Sequence, residues 1–265
     1  MQAAPPPLRS EEVRRVISVL APLTRETEIV LVGGQALAFW SARFAEQSGE
    51  ISVVASKDID FEGSADAARI AATLLNAKLM IPSPMEPSPV TGVVTFTDAD
   101  GFDRTLDFIG APRGLAAEDV RETAVRVELD ASPAEPAKAS FWVMHPERCM
   151  ESRIYNTIEL QRVDPLGLDQ LRVSVPIARC WSEAILDDGA LDPDQGVRAV
   201  LNLNERIFEK CSDDRCFRAV YERHGIDPFH AVLLDPRLPQ AFQDKRYPQM
   251  VNRLERIRAQ GDASP

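Results

Sequence analysis

With 265 residues, 45% hydrophobic and 27% charged, the chain is long enough for one large or two modest domains with a substantial core. A net charge of −11 argues against a long polyanion as its main partner, leaves a local basic groove open, and does not penalise a nucleotide whose charge is met by cations. No stretch nears the ~20 apolar residues of a membrane helix. Positions 1–7 lack the basic start of a secretory signal, and neither the four scattered cysteines nor the three histidines show metal-ligand spacing, so a cytoplasmic chain with reduced thiols is expected.

After a proline-rich, disordered lead-in over 1–8, Leu8, Val13, Val16, Ile17 and Leu20 fall on one side of a helix over 8–20. A buried strand over 28–32 runs into Gly33-Gly34, and a helix follows over 34–46. Positions 57–62 read as a strand. Ser64 then caps a helix over 65–78 that turns Ile70, Leu74 and Leu75 inward. Four prolines make 81–89 a loop, placed near the site. Strands over 90–97 and 104–109 form a hairpin through Asp100-Gly101, and strands over 125–129 and 139–144 flank a flexible 130–138.

Beyond Pro146 strand patterns stop, and helices are expected over 147–161, 168–186, 194–210, 216–224, 229–234 and 246–259. The fold class is α+β: a mixed sheet flanked by helices over 9–144, then an all-helical lobe over 145–265, with a cleft between them.

The chemistry concentrates in three carboxylates. Asp58 and Asp60 are two apart, so in a strand they share a face while Ile59 and Phe61 anchor the other. Asp107 sits in the apolar frame of Leu106, Phe108 and Ile109. Like charges held close repel, and a divalent cation between them removes the repulsion; hard oxygen ligands suit Mg²⁺ or Mn²⁺. An exposed acid pair on an edge strand is the plainer alternative. Gly33-Gly34 at a helix start exposes backbone N–H groups to a phosphate, although a tight turn uses glycine equally.

Gly33-Gly34 after a strand, then Ser56-Lys57-Asp58-Ile59-Asp60-Phe61, then Asp107 in a later strand, resembles the polymerase-β-type nucleotidyltransferase superfamily. Within it, the chain is similar to the small bacterial abortive-infection or toxin-type members. The likeness covers roughly 28–110 and extends loosely through His145-Pro146-Glu147.

The resemblance implies an enzyme that moves a nucleoside monophosphate from a nucleoside triphosphate to an acceptor hydroxyl on RNA or protein and releases pyrophosphate. It implies Mg²⁺ or Mn²⁺ held by Asp58, Asp60 and Asp107, and phosphate contacts from Gly33, Gly34, Ser56, Lys57 and Arg153. Arg153 stands where toxin-type relatives carry a lysine; it keeps the charge but is no ready general acid. An antitoxin partner is a further implication. The alternatives are a catalytically silent module of the same fold and an antibiotic adenylyltransferase. Asp164 and Asp169 echo acidic positions of the relatives, yet an Asp-Pro turn and a helix start explain them. Trp40, Trp142 and Trp181 read as core residues, and Asn156 as structural rather than a base contact.

Overall fold

Ile29–Val32 places four aliphatic side chains in succession, and the resulting strand, β1, is buried along its whole length, as a strand covered on both faces must be. A computed structural model describes residues 10–24, 29–45, 51, 58–83, 85, 88–129 and 139–261. Expectations for the lead-in, for Ser56 and Lys57, and for 130–138 lie outside those residues. The chain divides into two units, one of residues 1–43 and 53–152, the other of residues 44–52 and 153–265.

In the first unit, α1 (Ser10–Val19) and a 3-10 turn precede β1, α2 (Gly33–Phe44) and β2 (Ile59–Gly63). Then come α3 (Ala65–Leu74), β3 (Lys78–Met80), β4 (Val90–Thr97), β5 (Asp103–Ile109), α4 (Ala117–Thr123), β6 (Val125–Leu129) and β7 (Ala139–Val143). The strands form one mixed sheet in the order β3-β4-β5-β2-β1-β7-β6. The sheet is α+β as expected, with β1 antiparallel to β2 and parallel to β7, and β2 parallel to β5. Ile59, Phe61, Leu106 and Phe108 are buried on one face, where the rings of Phe61 and Phe108 stack 5.7 Å apart.

The hairpin forms where Asp100-Gly101 placed it: Asp98 N–H donates to the Phe102 carbonyl, and Gly101 takes the positive φ of +85° that the turn requires. Asp98 also accepts from the N–H groups of Asp100 and Phe102 and from Arg104 Nε at 2.7 Å, so buried Arg104 enters the sheet already paired.

α3 departs from expectation in its inward face and in its end. Ser64 caps it, its hydroxyl accepting from Ala67 N–H, but Ile70 and Leu74 are 45% and 40% exposed while Ala67, Ala68, Ala71 and Ala72 are buried. The cause is close approach: a Cβ on Gly92 of β4 would stand 2.5 Å from the Ala68 methyl, so only small side chains fit beneath the helix. The helix stops at Leu74 because Asn76 adopts φ +49° and Ala77 N–H turns back to the Ala72 carbonyl, a Schellman end that releases Lys78 into β3. α4 was not foreseen; Ala116 at its start makes no side-chain cap, so the sequence carries no start signal there.

The division falls within α5 (Pro146–Glu159). The second unit is helical: α6 (Pro165–Asp187), α7 (Pro193–Asp213), α8 (Arg215–His224) and α9 (Tyr247–Gly261), the last preceded by a π-helical turn over Phe242–Arg246. Asp164, Asp192 and Asp214 cap the starts of α6, α7 and α8, and Gly225 ends α8 in the left-handed conformation. The helix expected over 229–234 is only a 3-10 turn, Pro228–Ala231. Buried Asn204 explains this, since its side-chain amide donates to the Leu233 carbonyl and accepts from the Leu233 N–H, both at 2.9 Å. A residue held that way by a side chain has no backbone groups left for a helix. Among the described residues no helix is long and apolar enough to cross a membrane.

Candidate active site

β1 delivers the chain to Gly33, whose φ of +65° is costly for any residue with a Cβ. A Cβ built there would lie 2.1 Å from Asp60 Oδ2. No side chain survives that distance, so the backbone at the start of α2 touches the Asp60 carboxylate because residue 33 is glycine. Val32 is the antiparallel partner of Asp60, and Asp107 is its parallel partner on β5. Paired positions on neighbouring strands are about 4.8 Å apart and send their side chains to the same face. Asp60 and Asp107 therefore stand side by side beside the glycine turn.

Asp58 occupies the exposed bend just before β2. Asp107 is half-buried, and its carboxyl is held above the ordinary aspartate value, first by burial and then by the negative charge of Asp58. Asp58 and Asp107 thus feel one another's charge, while Asp60 stands beside Asp107 in backbone register. As they stand, no set of three or more Asp, Glu, His or Cys side chains among the described residues is gathered closely enough to hold a metal ion.

Two further residues of this face escaped the sequence reading. Glu62, two positions beyond Asp60 and so on the same side of β2, is fully buried. Arg121 of α4 grips it with two hydrogen bonds, Nε to Oε2 at 2.8 Å and Nη2 to Oε1 at 2.6 Å. Those bonds hold the Arg121 guanidinium above its usual value. The period-2 extension of Asp58, Asp60 to Glu62 was visible in the sequence; its partner 59 positions away was not.

The remaining candidates distribute differently. His145 Nδ1 accepts from the Glu147 N–H at the head of α5, a capping role, and Arg148 binds buried Glu151 at 2.6 Å. Arg153 belongs to the helical unit, where it is buried and donates from Nη1 to Gln170 Oε1 at 2.8 Å. Asp164 is a helix cap and Asp169 a surface partner of Arg172. Trp40 is buried, with Nε1 donating to the Met144 carbonyl, and Trp142 donates to the Thr24 carbonyl, so both are structural.

No protein-family model and no curated protein matches the chain. Among solved structures it is similar to an antigenic nucleotidyltransferase-like protein from Paracoccidioides brasiliensis, with 16% identity over 65% of this chain and 79% of that one and a TM-score of 0.42. A likeness of that degree leaves the site to be argued from its own residues.

Proposed function

We propose that the chain is a metal-dependent nucleotidyltransferase that moves a nucleoside monophosphate from a triphosphate to an acceptor hydroxyl. The observation that carries the reading is the contact of Gly33 with the Asp60 carboxylate, with Asp107 in register beside it. Asp60, Asp107 and Asp58 are the residues that would hold the cation. Their oxygen donors suit Mg²⁺ or Mn²⁺, and Asp107, whose carboxyl is raised first by burial and then by the charge of Asp58, would be favoured in its ionised form by a nearby cation. The bound cation would supply Lewis-acid stabilisation of the α-phosphate and of the leaving oxygen.

The chain's own residues do the rest. At the head of the 12-residue α2, backbone N–H groups meet phosphate oxygens at the positive end of the helix dipole. A carboxylate oxygen of Asp107 accepts the proton of the attacking hydroxyl. The hydroxyl oxygen bonds to the α-phosphorus as the bond to pyrophosphate breaks. Ser56, Lys57 and Arg153 remain proposed phosphate contacts by resemblance alone.

The test is transfer of label from α-labelled triphosphates. Asp60→Asn and Asp107→Asn should each lower it by about a hundredfold or more, as removal of a charge-stabilising group does. Asp107→Asn carries a second signature. A carboxyl whose folded pKa is raised stabilises the fold below its unfolded value, and that contribution is lost as pH rises through the folded one. The variant should therefore melt above wild type at pH 7, with the advantage vanishing in acid. Equal transfer by wild type and both variants would overturn the proposal.

The second reading, a silent module, is favoured by the absence of a gathered three-acid set among the described residues and by Arg153 being engaged with Gln170. Melting in Mg²⁺ with each nucleoside triphosphate separates the two, because a ligand of the native state raises the midpoint.

A further inference from the structure

The first unit holds a cavity of about 400 Å³ bounded by α1, the end of α3, β3, β4 and the start of β5. None of Gly33, Asp58, Asp60 or Asp107 lines it. Its size is that of a small-molecule site. Val16, Val19, Leu74, Leu75 and Phe96 provide an apolar lining, and Val16 is fully buried whether or not anything fills the space.

The charges around this cavity are unequally employed. Its acids are met mainly from within the protein: Asp98 by Arg104 and two backbone N–H groups, Asp103 by the Thr97 hydroxyl at 3.0 Å, and Glu12 by Arg104 Nη2 at 3.8 Å from Oε2, its Oε1 being buried without a hydrogen bond among the described residues. Its cations are not. Arg15 of α1 and Lys78 of β3 both line the cavity, and among the described residues neither side chain makes an ion pair or hydrogen bond. Asn76, held in the left-handed conformation by the Schellman end of α3, adds a side-chain amide that is likewise unengaged among the described residues. Beside three carboxylates, the groups of the lining left unengaged among the described residues are two cations and an amide, next to an apolar surface.

We propose that this cavity binds a small amphipathic anion, an alkyl or aryl body seated on Val16, Val19 and Leu75 with a carboxylate or phosphate head between Arg15 and Lys78. The arginine fork suits either head, and the lysine adds a compact charge. The site does not depend on the nucleotidyl-transfer reading, because no residue is shared.

The test is calorimetric titration of the full chain with octanoate, octyl phosphate, octanol and octylammonium. Octanoate or octyl phosphate should bind saturably, one to one, and the tighter of the two identifies the head group. Octanol should bind about tenfold more weakly, and octylammonium not at all. The double variant Arg15→Gln, Lys78→Gln should bring the anions to the octanol affinity without changing octanol itself. Both side chains are exposed and unengaged, so its melting temperature should equal that of wild type. Leu75→Trp, which fills the floor from a partly exposed position, should abolish all binding. No saturable binding of either anion, equal binding of octanoate and octylammonium, or an unchanged double variant would overturn the proposal.

Discussion

Replacing Gly33 by alanine should abolish nucleotidyl transfer as completely as removing the Asp60 carboxylate does, although the new side chain is a single methyl group. Two costs combine. The left-handed φ of +65° disfavours any Cβ by about 1–2 kcal/mol. The methyl would also stand 2.1 Å from Asp60 Oδ2, so the carboxylate or the backbone must shift, and overpacking of that kind costs about 1–3 kcal/mol more. Denaturant unfolding should therefore show a loss of about 2–5 kcal/mol. The informative measurement is the double variant Gly33→Ala, Asp60→Ala. Shortening residue 60 removes the clash and should restore about half of the lost stability while leaving transfer abolished. If Gly33→Ala alone keeps full transfer, the glycine contact is a packing detail and the site reading loses its main support.

Arg121→Ala should destabilise the sheet unit more than any other single surface-reaching substitution. It strands Glu62, which has no exposure at all, beneath α4. Breaking a wholly buried pair costs about 3–5 kcal/mol. Arg121 is 43% exposed, so water reaches the vacated side and the expected loss is about 2–3 kcal/mol. Glu62→Met together with Arg121→Met should recover most of it, because two apolar groups leave no unpaired charge behind. Losses that simply add across the two positions would show that the pair is not coupled. Because Glu62 projects on the Asp60 side of β2, the single variant should lower transfer as well, and the double apolar variant should restore it if the pair acts only by fixing the strand.

What could be read beforehand divides along physical lines. Local chemistry was legible: the run of aliphatics in β1, the Asp100-Gly101 turn and the Ser64 cap each encode their structure within a few residues. The apolar frames showed which acids face away from the core, Asp60 on one strand and Asp107 on the other, but the register that pairs them comes from the sheet. Distance in the chain defeated the rest. That α3 buries alanines rather than Ile70 and Leu74 depends on Gly92, in a strand yet to come. The short turn at Pro228–Ala231 depends on Asn204 reaching Leu233. Glu62 reads as one more surface acid until Arg121 is brought over it.

All four cysteines are buried and none forms a disulfide, Cys149 lying in the sheet unit and Cys180, Cys211 and Cys216 in the helical one. Burial foremost raises the Cys211 and Cys216 thiols, so little thiolate exists to meet an electrophile even when a reagent arrives. Alkylation by a maleimide must then wait for local opening, and its rate becomes a clock for that opening. Peptide mass after digestion would assign each modified sulfur to its unit, so one reagent times the breathing of both without any introduced probe.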